Sequence, residues 1–270
     1  MDDYEIMMID KAKLKIEKSV ELHGLENTCI SFSGGKDSTV LRHLVKSLYP
    51  DIKSIFCNTG VEYDLIVDFV KSFSDVEIIK PKKSFVEVVR KFGFPAISKE
   101  QSRFIGDIQN DKVSKKTKDL RLAGGNFSIH KKWKWILDTT DIFLSDKCCY
   151  YLKKYPLQRL KYYYFTGERI SESNLRRQRY HTCILPKKCI PLRLWKDELI
   201  DKYIEHYGLE LCSIYNYERR TGCKFCLYGV HLEKRPNRID RLKFIEPKSY
   251  EFAVKLGIVD LMERILKGAV

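Results

Sequence analysis

No apolar run in these 270 residues approaches the roughly 20 needed to cross a bilayer as a helix, so a helical membrane span is excluded. The N-terminus, Met1-Asp2-Asp3-Tyr4-Glu5, lacks the basic start and apolar core of a secretory leader, and the expectation is a cytoplasmic protein. Internal repeats and low-complexity tracts are also absent, so nothing calls for a repeat array. Acidic residues are short: 36 Asp and Glu face 50 Lys and Arg, giving a net charge of +14. That surplus admits a polyanionic partner such as tRNA or DNA, but clusters of Lys and Arg around a bound phosphate would produce it equally well. Disulfides rarely persist in the cytosol, and nine cysteines are an odd number. They are read as thiols or metal ligands.

What is present begins with Ser31-Phe32-Ser33-Gly34-Gly35-Lys36-Asp37-Ser38. Thr28 to Phe32 reads as a short buried strand, and Thr39 to Leu48 repeats apolar residues at helical spacing. Between them, two glycines and two hydroxyls form an expected anion cradle. Glycine lets the backbone approach a ligand closely, and the first N–H groups of the helix lie unpaired at its positive end. A plain strand-to-helix turn capped by Ser33 or Ser38 is the other reading. The string is neither a Walker A loop nor a G-x-G-x-x-G fingerprint.

Further along, strands are expected at Ile52–Asn58, Val76–Ile79 and Tyr162–Thr166. Helices are expected over about Ile9–Leu22, Tyr63–Phe73, Phe85–Phe92 (closed by Gly93) and Asp197–Tyr207 (closed by Gly208). Strands alternating with helices predict an α/β fold, a Rossmann-like parallel sheet with helices on both faces. Ligands in such sheets sit beyond the carboxyl ends of the strands, where Ser33–Ser38 and Asn58–Gly60 both fall. The expected organisation is a nucleotide-binding domain over 1–210, interrupted by a basic, loop-rich insertion at about 107–146, and a cysteine-bearing segment over 211–270 that packs back on it. Within the insertion, Trp133 and Trp135 alternate with lysines. They read either as a connector or half-buried strand whose rings pack on the body, or as a surface that stacks and neutralises a nucleic-acid strand.

Cysteine placement is uneven. Cys148 and Cys149 are adjacent, and Cys223-Lys224-Phe225-Cys226 is a C-x-x-C pair behind Gly222. Four thiolates can bind an iron–sulfur cluster or zinc. Consecutive side chains diverge, which suits the separated irons of a 4Fe–4S cubane better than one tetrahedral ion; zinc is the second choice. A redox dithiol and plain packing are the remaining readings. Cys29 and Cys57 fall inside strands and read as core.

Ser-Gly-Gly-x-Asp-Ser resembles the pyrophosphate loop (PP-loop) of the adenine nucleotide α-hydrolase superfamily. With the Cys-Cys and C-x-x-C pairs, Asn58-Thr59-Gly60, Gly167-Glu168-Arg169 and Glu172-Ser173, the chain resembles the phosphoadenosine phosphosulfate (PAPS) reductase family, in its cluster-bearing branch. That resemblance implies a 4Fe–4S cluster on Cys148, Cys149, Cys223 and Cys226, and ATP with Mg²⁺ at the loop. It implies nucleotide contacts from Ser33, Gly34, Gly35, Lys36, Asp37, Ser38, Asn58, Thr59, Gly60, Gly167, Arg169 and Arg176, with Lys36, Asp37 and Arg169 closest to the chemistry. Two departures matter. Sulfonucleotide reductases carry a catalytic cysteine in a C-terminal tail, whereas no cysteine follows Cys226 here, and they often degrade the loop, which here is intact. An intact loop combined with a cluster is similar to the sulfurtransferase of DNA phosphorothioation.

The first expectation is therefore an ATP pyrophosphatase or adenylating enzyme coupled to sulfur transfer, with an adenine nucleotide, a nucleic-acid acceptor (DNA or tRNA) and a sulfur-donor protein as partners. A PAPS or adenosine phosphosulfate reductase is the second. A nucleotide- or nucleic-acid-binding module without catalysis is the third. His231 reads as structural or as an acid–base group.

Overall fold

The computed structural model describes residues 1–110 and 112–268. Helix α1 (Asp3–His23) starts where the Asp2 and Glu5 side chains each accept the other's backbone N–H. Its buried face is Met8, Ile9, Ala12, Ile16 and Ser19, at helical spacing. Strand β1 (Thr28–Ser31), α2 (Lys36–Leu48), β2 (Lys53–Cys57), α3 (Asp64–Lys71) and β3 (Val76–Ile79) then alternate. Helix α4 (Phe85–Phe92) opens on a second reciprocal cap, Ser84 with Glu87, and ends at Gly93. After β4 (Ala96–Ile97) come α5 (Lys99–Gln109), α6 (Lys115–Leu122), a 3-10 segment (Lys131–Asp138), α7 (Lys147–Cys149), a π-helical turn (Tyr150–Lys154) and α8 (Tyr155–Arg159). The chain continues through β5 (Tyr163–Phe165), α9 (Asn174–Arg179), β6 (Ile184–Leu185), β7 (Lys188–Cys189) and α10 (Asp197–Tyr207). It closes with β8 (Leu227–Tyr228), α11 (Arg238–Ile245), α12 (Pro247–Lys255) and α13 (Ile258–Gly268).

Two compact units share the chain. The first comprises Met1–Asn58, Asp64–Lys80 and Leu157–Thr221; the second comprises Thr59–Tyr63, Pro81–Pro156 and the residues from Gly222 onward. The first unit is the expected α/β fold. Its sheet has the order β3-β2-β1-β5-β7-β6, parallel except for β6 against β7. Strand β1 runs between β2 and β5, with Cys29 beside Lys53 on one side and Tyr164 on the other. Ile9 and Ile16 of α1, Leu41 and Leu44 of α2, and Trp195 and Tyr203 share one buried cluster with Ile30 and Phe165. Each such aliphatic side chain stabilises the fold by about 1.5–3 kcal/mol on burial. The strand order reverses between β1 and β5, so the loops leaving these two strands diverge and open a crevice.

The second unit carries a short parallel pair, β4 and β8, with Ala96 beside Leu227 and Ile97 beside Tyr228. About half of the region expected to be loop-rich is helical here. Ser98 and Ser114 accept N–H groups of the first turns of α5 and α6, caps that a basic composition hides. The Trp–Lys stretch is neither loop nor strand. Trp133 and Ile136 are buried three residues apart, the spacing that a 3-10 helix stacks on one face. Lys131, Lys132 and Lys134 face outward.

Candidate functional site

A cavity of about 700 Å³ opens over the PP-loop in the first unit. Its floor is Ser33, Gly35, Lys36, Asp37 and Ser38, and its wall is Thr166, Gly167, Glu168 and Arg169 from the end of β5. The loop holds its shape internally. The Ser33 N–H donates to Ser38 Oγ (3.2 Å), and the Ser38 hydroxyl donates to the Gly35 carbonyl (2.8 Å). Gly34 has φ +72°, and a Cβ there would lie 2.9 Å from Ile66 of α3. Gly35 is the cap of α2 and faces the cavity. The Lys36 N–H, one of the unpaired donors of α2, is taken by the Tyr215 hydroxyl at 2.7 Å.

Charge in the cavity is arranged in pairs. Arg169 is almost fully buried and lies with Nε 3.1 Å from Asp37 and Nη2 2.6 Å from Asp197, while Nη1 donates to the Trp195 carbonyl at 3.3 Å. Burial pushes the Asp37 carboxyl above its ordinary range, and Arg169 pulls the other way. Lys36 Nζ reaches Asp201 at 2.9 Å, and Arg176 is paired with Glu172. Glu168 accepts two short hydrogen bonds from Lys188, at 2.6 and 2.7 Å. Thr166 Oγ1, on the wall, is buried with no hydrogen-bond partner among the described residues, as expected of a group that waits for a ligand.

The second unit holds the Cys-Cys and C-x-x-C pairs, and all four cysteines are free thiols. Cys148 is buried on α7, and its thiol is pushed upward by burial and then by the neighbouring thiols of Cys223, Cys149 and Cys226. Burial and Cys223 likewise push Cys226 up to about 12. The C-x-x-C turn closes with the Cys226 N–H on the Cys223 carbonyl at 3.1 Å. Its two middle residues anchor it: Lys224 pairs with Glu246 at 2.7 Å, and the Phe225 ring packs on Phe85 and Phe252. Lys153 hydrogen-bonds Cys223 and lies 3.4 Å from Glu62. Although burial opposes its charge, Cys223 and Glu62 hold its ammonium well above the usual lysine range. Among the described residues no group of three or more His, Cys, Asp and Glu side chains is arranged to hold one metal ion. The donor set itself, four neighbouring thiols with a cation beside them, fits the chemistry of thiolate ligation.

Of the residues picked out by sequence, Ser33, Gly35, Lys36, Asp37, Ser38, Gly167, Arg169 and Arg176 come together around the cavity. Gly34 turns toward α3 instead. Asn58 closes the segment that bears β2, its N–H on the Ile79 carbonyl at 2.9 Å. Thr59 and Gly60 belong to the second unit, where the Thr59 N–H and hydroxyl donate to Glu62 at 2.9 and 2.8 Å. His231 lies edge-on to Trp133, and burial holds its imidazole below the ordinary range. Sequence reasoning missed Asp197, Tyr215, Arg219, Arg220 and Thr221, which also line the cavity. Asp197, Tyr215, Arg219 and Arg220 sit in no motif beyond the local signal of two consecutive arginines, whereas Thr221 opens the stretch that leads into the C-x-x-C pair.

Residues 27–123 match the family described as the phosphoadenosine phosphosulfate reductase domain, which bears out the resemblance carried by the loop. A protein of Methanocaldococcus jannaschii of uncharacterized function is 38% identical over 97 residues, 33% of this chain, and the matched stretch spans 24% of that relative's length. Among solved structures, a PAPS reductase from Candida auris in complex with phosphate is 15% identical, with a TM-score of 0.42, over 76% of this chain and 83% of its own. The U34-tRNA thiolase NcsA from Methanococcus maripaludis, with its [4Fe-4S] cluster, is 16% identical, with a TM-score of 0.36, over 97% of this chain and 80% of its own.

Proposed function

We propose that this chain binds ATP over the PP-loop, adenylates an acceptor at the α-phosphorus and couples that step to sulfur transfer. The observation that carries the reading is the intact Ser33-Gly34-Gly35-Lys36-Asp37-Ser38 loop, opening onto a cavity that gathers Lys36, Arg169 and Arg176. Backbone N–H groups of Gly35, Asp37 and Ser38 and the Lys36 ammonium bind the β- and γ-phosphates. Asp37 is the residue that would hold Mg²⁺ there, and the ion would supply positive charge to offset that of the polyphosphate. Arg169, fixed by Asp37, Asp197 and the Trp195 carbonyl, is a positioning residue that holds Asp37 in place. An acceptor oxygen forms a bond to the α-phosphorus as the bond to pyrophosphate breaks. Hydrosulfide delivered by a donor protein then forms a bond to the acceptor carbon as the carbon–oxygen bond breaks, and that oxygen departs with AMP. Fixed donors around the phosphates stabilise the charge that develops on the leaving pyrophosphate.

Cys148, Cys149, Cys223 and Cys226 are the residues that would hold a 4Fe–4S cluster, with zinc as the second choice. When bound, such a cluster supplies a site for sulfur or electrons. The acceptor we assign is a nucleic acid, tRNA or DNA. Support comes from the +14 charge and from α6, which buries none of its side chains and presents Lys115 and Lys116 outward.

The test is pyrophosphate release from ATP and Mg²⁺ by anaerobically purified protein, with ATP binding measured in parallel. A Lys36→Ala, Asp37→Ala double variant is expected to lose most of both; undiminished ATP binding in it overturns the assignment. Sulfite release from a sulfonucleotide with a thiol donor would instead favour the reductase reading, which the matched domain over residues 27–123 supports.

A further inference from the structure

The cations of the proposed nucleotide site are nearly all committed. Lys36 is held by Asp201, Arg169 by Asp37 and Asp197, and Arg176 by Glu172. Across the cavity lining these three cations face four carboxylates, those of Asp37, Glu168, Glu172 and Asp197. Taken alone, this lining is net negative, and a polyphosphate with its several charges would be repelled from it.

Two further guanidinium groups reverse the sign. Arg219 and Arg220 also line the cavity, and both are exposed. Arg219 makes no hydrogen bond or ion pair among the described residues, and Arg220 acts on Asp197 through its field alone. The segment that carries them is anchored on both sides. Before the pair, Ile214 is fully buried, Cys212 Sγ reaches the Leu65 carbonyl at 3.2 Å, and the Tyr215 hydroxyl accepts the Lys36 N–H. After it, Thr221 lies so close to the loop that a Cβ on Gly35 would come within 2.6 Å of its hydroxyl. These anchors fix the segment that brings two uncommitted guanidiniums to the lining of the cavity.

We propose that Arg219 and Arg220 form a phosphate clamp that completes the polyphosphate site and makes it selective for di- and triphosphates. The inference rests on the reading that this cavity takes the phosphate tail of a nucleotide. Each guanidinium offers a bidentate fork to phosphate oxygens, and neither has to break an ion pair to do so.

The experiment is titration calorimetry of the full-length protein with magnesium pyrophosphate, Mg-ATP and adenosine. An Arg219→Ala, Arg220→Ala variant is expected to bind pyrophosphate and ATP at least tenfold more weakly, with adenosine unchanged and the salt dependence of pyrophosphate binding reduced. An Arg219→Lys, Arg220→Lys variant is expected to recover part of the loss. Unchanged melting of the alanine variant confirms that it folds. Wild-type binding that survives the alanine substitutions within twofold overturns the clamp and leaves the nucleotide reading intact. A wild-type protein that binds neither pyrophosphate nor ATP overturns the nucleotide reading and the clamp together.

Discussion

At the scale of single residues, the cavity is governed by which carboxylate each cation has been given. Glu168 shows the consequence most clearly. Burial alone would raise its carboxyl, but hydrogen bonds from Lys188 and Tyr180, with the charges of Lys188 and Arg176, hold it below the ordinary value of 4.5. A carboxyl lowered in the folded state contributes stability that is complete above its unfolded pKa and is lost as pH falls through the lower folded one. Glu168→Gln is therefore expected to cost about 1.5–3 kcal/mol at neutral pH, the range for a hydrogen bond to a charged group. That deficit should shrink toward zero as the pH falls from 4.5 through the lowered folded pKa, where the wild-type carboxyl itself takes up its proton. Urea midpoints of the two proteins across this range check it; a deficit that stays constant into acid would mean that the side chain acts by shape alone.

At the scale of elements, the site depends on how closely the end of β5 approaches the start of α2. Gly167 is the contact point: a Cβ there would lie 2.9 Å from the backbone carbon and oxygen of Asp37 and 3.1 Å from the Ser38 nitrogen. Backbone does not yield as a flexible side-chain tip would. Gly167→Ala is expected to lower stability by about 1–3 kcal/mol, typical of overpacking, and to weaken ATP binding, because the loop must shift to make room. Denaturation and ATP titration of the variant measure both effects. Much of this layer was legible in the sequence. Thr28–Ser31, Lys53–Cys57 and Val76–Ile79 are short apolar strands bounded by breakers, and Gly93 and Gly208 end their helices where expected. What misled was periodicity. Trp133 and Trp135 alternate with lysines, a period of two that suits a strand, yet burial there repeats every three residues in a 3-10 segment. The site was legible where a local motif carries it, at Ser33–Ser38 and Gly167–Arg169. Tyr215, Arg219 and Thr221 reach the same cavity only through long-range folding, which no local spacing records.

At the scale of the whole molecule, the chemistry is divided. Every residue lining the cavity lies in the first unit, and Cys148, Cys149, Cys223 and Cys226 all lie in the second. The chain passes from Thr221, in the cavity lining, through Gly222 to Cys223. Loss of one of the proposed thiol ligands should therefore separate two properties of one protein. A Cys223→Ser variant, purified without oxygen, is expected to lose its iron and with it the broad absorbance near about 400 nm that thiolate-bound iron gives. Its affinity for magnesium pyrophosphate should stay within about twofold of wild type, a change under about 0.4 kcal/mol, because no cavity residue has been altered. Sulfur transfer, measured as sulfur incorporated into an adenylated nucleic acid, should fall to background. Iron analysis, absorbance and calorimetry on the same preparation decide the matter. A colourless wild-type protein that carries zinc would replace the cluster with the second choice of metal. Iron content unchanged by the substitution would remove Cys223 from the ligand set, and with it the pairing of the C-x-x-C turn with Cys148 and Cys149.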